Sequence, residues 1–272
     1  MRNKALELSL YVAGAGAFGV FLRWMEDQLS FNEQGLADPG AFHVLFLLFL
    51  AACAAVFLHF VVDIDHRHYY VPEQFEKALC SELTLHRVLS IVLGAMMALG
   101  GLMLLSKSEL DPFTGMLRTL SALAALSGIA YPLVLEEARK EQIRAGLLCL
   151  LMLLPVLLFA VWLLLSYRNN IINSVPLAYG PDMLAAILAM LAYFRMAGFA
   201  FGSAKPSRAL FLVMLSASVC ILSVADKRYL GMEVILLAAA GQLLLYLWIM
   251  LKNLKPRERR VIPRKDDGFE HL

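Results

Sequence analysis

Four polar side chains stand within or directly after long apolar runs of the sequence. Arg195, in AYFRMAG, is the most deeply placed charge, and Gln242 lies near the middle of the last apolar run. Glu136 and Glu137 follow a third apolar run. A polar group in an apolar medium is costly unless it faces a partner or a cavity. We therefore predict a candidate polar site composed of Arg195, Gln242, Glu136 and Glu137.

Three roles are open to Arg195. It lies about 10 Å from the nearer end of its run at about 1.5 Å per helical residue, so its side chain could extend to lipid headgroups. It could instead pair with a carboxylate, for which Glu136, Glu137 and Asp63 are the candidates by depth. Binding of an anionic substrate is the third role. For Gln242, a hydrogen bond to a neighbouring helix is the ordinary expectation.

A second group of chemically capable residues gathers around the segment DIDHRHYY. Imidazole nitrogens and carboxylate oxygens suit a divalent metal, and the weak candidates here are His59, Asp63, Asp65, His66, His68 and His86. Their spacing matches no established metal site, so the metal question stays open. His59 and His86 could alternatively ligate a b-type haem from two sides. We predict no cofactor.

Sequence motifs of common enzymes are missing. The chain contains no G-x-x-x-x-G-K-[ST] phosphate loop, no H-E-x-x-H zinc helix and no G-x-S-x-G nucleophile elbow. An ATP-driven pump and a familiar hydrolase are therefore disfavoured, and we predict that the chain is not an enzyme.

The elements that must position these residues are eight apolar runs. Of the 272 residues, 60% are hydrophobic and 17% charged, whereas a soluble domain carries about 25% charged residues. A bilayer crossing needs roughly 20 apolar residues. We predict an all-α polytopic membrane bundle with eight transmembrane helices in residues 1–252 and a charged cytoplasmic tail in residues 253–272. The spans are placed near 5–24, 41–62, 88–106, 113–135, 145–166, 181–202, 208–226 and 231–252.

Basic residues predict the orientation of the bundle. With the N-terminus inside, 17 lysines and arginines fall on the inner side and 6 on the outer side. Positive residues are retained on the cytoplasmic side of short loops, so both termini are expected in the cytoplasm. Asp182, Asp226 and Glu233 then lie at outer helix ends, where we expect ordinary hydrated, interfacial roles.

Other features predict how the helices pack and connect. Gly94 with Ala98, and the pair Gly100 and Gly101, are expected to permit close helix contacts. The acidic segment Glu26–Gly40 is rich in turn formers and could cap the outer face. The segment Asp63–Arg87 could hold a short helix at the inner membrane interface.

The stretch LRWMEDQLSFNEQGLADPG, residues 22–40, resembles an element of an uncharacterised group of bacterial multi-pass membrane proteins. In that group a basic residue ends the first helix and an F-[ED]-x-x-x-G-L-x-x-P-G-like segment follows. The matching positions here are Arg23, Phe31, Gly35, Leu36, Pro39 and Gly40, with Asn32 in place of an acidic residue. The resemblance implies a bacterial cytoplasmic membrane but no activity.

Two classes of function remain open. A small-solute secondary transporter is favoured by the helix number, by Pro155, and by Arg195 and Gln242. The alternative is a non-transporting scaffold or anchor subunit, which could belong to a redox complex. The predicted partners are the lipid bilayer, a small solute or another membrane protein, and anionic lipid headgroups at the basic stretch Lys252–Lys265. No nucleic-acid partner is predicted.

Overall fold

A computed structural model describes residues 4–29, 41–107, 114–140, 144–170, 176–226 and 228–256. The helices are α1 (Ala5–Leu29), α2 (Ala41–His66), α3 (Phe75–Leu79), α4 (Thr84–Lys107), α5 (Thr114–Glu137), α6 (Ala145–Asn170), α7 (Pro176–Ala200), α8 (Pro206–Leu222) and α9 (Leu230–Lys252). A single 3-10 turn, Ser223–Ala225, follows α8, and the strands are β1 (Tyr69–Tyr70) and β2 (Lys255–Pro256).

Eight of these helices, all except α3, are long and apolar enough to cross a membrane. The prediction of an all-α membrane bundle is therefore confirmed. Several helices continue past the ends expected from hydropathy; α1, for example, runs to Leu29 rather than residue 24. Continuation is favoured because backbone groups in lipid must be hydrogen-bonded within their own helix. As a consequence, Glu26 lies inside α1 together with Arg23 and not after the helix.

Six helices form a closed ring. Each helix from α4 to α9 packs against the next one along the chain, and α9 packs against α4. Helix α1 lies outside this ring against α8 and α9, and α2 lies further out against α1 and α8. We call the end where α1 begins and α9 ends the terminal end, and the other end the distal end. The periphery of the bundle is thus formed by α1 and α2.

Small residues allow close crossings within the ring, as predicted for α4. A Cβ atom added to Gly94 would overlap the Gly128 carbonyl oxygen of α5, and one added to Gly100 would lie 2.8 Å from the Gly231 oxygen of α9. The Ser121 hydroxyl of α5 donates a hydrogen bond to the Gly101 carbonyl at 2.5 Å. Helix α4 is therefore held between α5 and α9 by backbone-to-backbone approach.

The segment between α2 and α4 is packed onto the bundle. The two strands pair antiparallel, with Tyr69 opposite Pro256, and this strand pair was not predicted. Helix α3 buries Ala78 and Leu79. The Asn253 amide donates to the carbonyls of Ala78 and Cys80 at 3.0 and 2.8 Å. The expected interfacial helix is thus a short helix anchored to the end of α9 by side-chain hydrogen bonds.

Some predictions concern residues outside the described ranges. These are the greater part of the Glu26–Gly40 cap, the resemblance positions from Phe31 to Gly40, and the basic stretch beyond Pro256. They stay predictions.

The α4–α5 crossing generates a test. We expect Gly94→Ala to lower the free energy of unfolding by about 1 to 3 kcal/mol, because the new methyl group must displace the α5 backbone. Gly115→Ala on α5 is the matched control, since nothing lies within 4 Å of its Cβ position. Thermal unfolding in detergent micelles measures the stability of both variants. Equal stability of the two would contradict the close crossing.

Candidate functional site

Arg195 lies on α7, five residues before the helix ends at Ala200, and is half-buried. Its guanidinium stands 6.0 Å from the ring centre of exposed Phe194. Its Nε atom is buried and has no hydrogen-bond partner among the residues that the structure describes. Within the described residues, no ion pair joins Arg195 to Glu136 or Glu137.

The carboxylates expected near Arg195 pair with other residues. Glu136 Oε2 forms an ion pair with Arg87 Nε at 3.4 Å. Glu137 forms an ion pair with Lys140, about one turn further along the chain. Asp63 pairs with Arg67 on α2 at 2.8 Å. All three pairs lie near the terminal end, and two of them are local contacts within three or four residues.

Gln242 belongs to a buried polar layer in the half of the bundle nearer the terminal end. Ser90 of α4 donates to Gln242 Oε1 at 3.3 Å. Across the ring, the Tyr193 hydroxyl of α7 donates to the Ala239 carbonyl at 3.0 Å and lies 2.7 Å from the Tyr131 hydroxyl of α5. This layer ties four ring helices together, and Arg195 makes no hydrogen bond to it within the described residues.

The histidine and aspartate candidates do not assemble a metal centre. Among the described residues, no group of three potential metal ligands lies together. His66 contacts the Val62 carbonyl through Nδ1 at 2.9 Å. His59 is exposed on α2, whereas His86 is buried on α4 with its ring 4.2 Å from Trp248. The two histidines predicted as haem ligands therefore face different surroundings.

The densest cluster of charges lies at the distal end, away from these residues. We call it the distal network, and it consists of Arg23, Glu26, His43, Asp182, Asp226 and Arg228. Arg23 donates through Nε to Asp226 Oδ1 at 2.7 Å and through Nη1 to Glu26 Oε2 at 2.8 Å. The other Glu26 oxygen lies 2.5 Å from His43 Nδ1. One arginine thus connects α1, α2 and the segment after α8.

The second arginine extends the network to α6 and α7. Arg228 Nη2 donates to Asp226 Oδ2 at 2.8 Å and to Ser223. Its Nη1 lies 3.1 Å from Asp182 Oδ1 but at an angle that leaves Nη1 without a hydrogen bond. Asp182 accepts from Trp162 Nε1 at 3.2 Å and Ser166 Oγ at 2.5 Å.

Burial makes this network energetically important. The side chains of Arg23 and Glu26 are 3% and 1% exposed, and that of Arg228 is 8% exposed. Removing one member of a buried pair leaves an uncompensated charge, which costs far more than loss of a surface pair. The network holds two arginines and three carboxylates, with the His43 ring beside Glu26.

Local sequence explains part of this arrangement. Glu26 stands three residues after Arg23 on α1, a spacing that places two side chains on one helix face. The 3-10 turn brings Ser223 Oγ to 3.1 Å from Asp226 Oδ2. Asp182 and Asp226 were expected to be hydrated interfacial residues; the structure corrects this, because both lie inside the network. In the sequence, the signal for this network was that acidic and basic residues occur together at the helix ends predicted for the outer side.

The described cavities lie at the opposite end of the bundle. The largest is an open cleft of about 840 Å³ beside β1, α3 and β2. A groove of about 370 Å³ lies between α1 and α2, and three smaller cavities flank α3, β1 and the end of α9. Arg195 and Gln242 line none of these five. The terminal end of the bundle is therefore indented.

The buried network predicts a large difference between two arginines. We expect Arg23→Gln to lower the free energy of unfolding by about 3 kcal/mol or more, because Glu26 and Asp226 lose their counter-charge. Arg87→Gln is the control: its pair with Glu136 is 53% and 40% exposed, so a loss below about 1 kcal/mol is expected. Similar unfolding curves in micelles would count against the network.

The tyrosine bridge can be tested in the same way. Tyr193→Phe removes the hydroxyl that joins α5, α7 and α9, and we expect a loss of about 1 kcal/mol, the usual scale for hydrogen bonds between membrane helices. Tyr167→Phe is the control because Tyr167 is 56% exposed. If both variants unfold like the unmodified chain, the bridge contributes nothing to stability.

Comparisons with known proteins give no relative: no family profile, no curated protein and no solved structure matches this chain. The resemblance of residues 22–40 to a bacterial membrane-protein group therefore stays a prediction. The chain is an integral membrane protein by its eight apolar helices, and its more specific function must be inferred from geometry.

Proposed function

We propose that the chain is a secondary carrier for a small polar solute, with the distal network as its closed gate. The observation that carries this proposal is the buried ionic network, which joins the distal ends of α1, α2, α7 and the segment from α8 to α9. The described cavities near the terminal end are compatible with access from that side. Carriers that work by alternating access close one end while the other is accessible.

The energetics of the network suit a gate. Buried ion pairs gain Coulomb energy but lose the hydration of both charges, so the closed and hydrated states can lie close in free energy. Opening the distal end would return Arg23, Arg228 and their carboxylates to water. The closed, ion-paired arrangement and the open, hydrated one would be the two discrete states that a conformational switch requires.

The buried polar layer of the ring would then separate the two ends. In the closed ring, Ser90 donates to Gln242, and the Tyr131 and Tyr193 hydroxyls lie within hydrogen-bond distance. Gln242 Nε2 is buried and makes no hydrogen bond of good geometry within the described residues, so this donor would be available to a solute when the ring loosens. Arg195 remains the candidate for attracting an anionic solute from the terminal side.

A second candidate function is a non-transporting anchor subunit. The observation that favours it is the filled ring: Trp162, Phe159, Tyr193 and Tyr131 contact one another in sequence through its interior, each at most 1% exposed. In this case the open cleft beside β1, α3 and β2 would receive a partner protein.

The proposed location is the bacterial cytoplasmic membrane with both termini in the cytoplasm. Support comes from the distribution of lysine and arginine and from the resemblance of residues 22–40. The terminal end would then face the cytoplasm, where Lys252 and Lys255 begin the basic stretch expected to attract anionic lipid.

Cysteine accessibility tests the carrier against the anchor. In a chain with its four cysteines replaced, Ala189→Cys places a thiol one turn before Tyr193, at a fully buried position of α7. We expect a membrane-impermeant maleimide to label it at least about tenfold faster when Asp226→Asn is added, because the distal gate then opens. The readout is the labelling rate in detergent micelles.

Two controls separate opening from unfolding. Ala209→Cys on α8, also fully buried but near the terminal end, should remain unlabelled when Asp226→Asn is present. Arg87→Gln, which neutralises an exposed pair, should not change the labelling of Ala189→Cys. An unchanged rate for Ala189→Cys in the Asp226→Asn chain would favour the anchor.

A further inference from the structure

A groove opens on the side of the bundle at the terminal end, between α1 and α2. Its volume is about 370 Å³, and the ends of Leu251 and Leu254 form its floor. Its walls come from the start of α1 and the last turns of α2, namely Lys4, Glu7, Tyr11, Phe60, Asp63 and Arg67. The volume lies within the usual range for sites that bind small ligands.

The mouth of the groove carries two positive and two negative groups. Asp63 and Arg67 pair on α2 at 2.8 Å. Lys4 and Glu7 are exposed on the α1 side, and neither makes an ion pair within the described residues. The formal charge of these four described side chains sums to zero, with a cation and a carboxylate on each wall.

The deeper part of the groove is apolar and faces lipid. Leu8 and Phe60 are partly buried, and Tyr11 is 73% exposed on the outer face of α1. Helix α2 has the smallest buried share of the eight long helices, 17% over its most apolar window. Because α1 and α2 form the periphery of a membrane bundle, hydrocarbon chains must cover this surface.

We propose that the groove binds one glycerophospholipid with an ethanolamine headgroup. Lys4 and Arg67 would donate to the phosphate oxygens, and the ammonium would donate to Glu7 and Asp63, all as charge-assisted hydrogen bonds. The acyl chains would lie against Tyr11 and Phe60. The positions fit because Lys4 precedes α1 and Arg67 follows α2, which places both at headgroup level.

The headgroup is selected by charge complementarity. A headgroup that carries only a phosphate charge would satisfy Lys4 and Arg67 but would be repelled by Glu7 and Asp63. A choline headgroup is zwitterionic, but its quaternary ammonium has no N–H to donate to a carboxylate. Ethanolamine supplies both charges and the donors. The proposal does not depend on whether the protein is a carrier.

Native mass spectrometry of the full chain in detergent tests this site. The probes are phosphatidylethanolamine, phosphatidylcholine and phosphatidylglycerol with identical acyl chains. We expect one bound phosphatidylethanolamine at a concentration at least about tenfold below that needed for the other two. Stronger retention of phosphatidylglycerol, or equal retention of all three, would overturn the proposal.

A pair of matched variants locates the bound lipid. Lys4→Gln with Glu7→Gln should reduce retention of phosphatidylethanolamine at least about fivefold. The control, Glu76→Gln with Lys77→Gln, changes the same charges on exposed residues of α3 outside the groove and should retain the lipid as before. Retention that survives in the first variant would overturn the site. Thermal unfolding checks that both variants fold. The single change Glu7→Gln, at an exposed position, provides a second measurement of the reduced phosphatidylethanolamine retention.

Discussion

Charges buried at the distal end of this bundle must be paired, and this constraint determines how its peripheral helices are held. Arg23 sits within α1 at 3% exposure, where an unpaired guanidinium would be prohibitively costly. Its bonds to Glu26 and Asp226 bind α1 to the segment after α8, and Glu26 in turn holds His43 at the start of α2. Helix α2 also packs on α1 and α8 and buries Phe46, Phe57, Val61 and Ile64, so charged and apolar contacts together hold it in place.

The rest of the molecule is built differently. The six-helix ring is held by small residues that bring backbones together and by aromatic side chains that fill its interior. Its polar groups hydrogen-bond to one another across the ring, at the modest energies usual between membrane helices. The bundle therefore combines a mostly neutral ring interior with a buried ionic network at its distal end. Conformational change would be concentrated where the charges are.

Much of the fold could be predicted from sequence, because lipid leaves a chain few ways to satisfy its backbone. All eight long helices and the role of Gly94 and Gly100 in packing were accessible in this way. Helix ends were less predictable: hydropathy places the end of α1 near residue 24, whereas the helix continues through Glu26 to Leu29. The strand pair β1–β2 depends on contacts between segments far apart in the chain and has no local signature.

The candidate site was the least predictable feature. Arg195 and Gln242 attract attention because each interrupts an apolar run, yet the described contacts do not bring them together. Polar residues that interrupt apolar runs do not indicate the distal network, because its members lie near helix ends, where charged residues are common. Arg23 and Asp226 are separated by 203 residues, so nothing in the spacing of the sequence indicates their contact.

The most direct test of the gate is a distance measurement across the distal end in lipid nanodiscs. Spin labels at Gln28 of α1 and Thr119 of α5, both exposed, report on the separation of opposite sides of the bundle by pulsed electron resonance. A gate predicts two distances in the unmodified chain, with the longer one dominant after Asp226→Asn. A single narrow distance that Asp226→Asn leaves unchanged would contradict it.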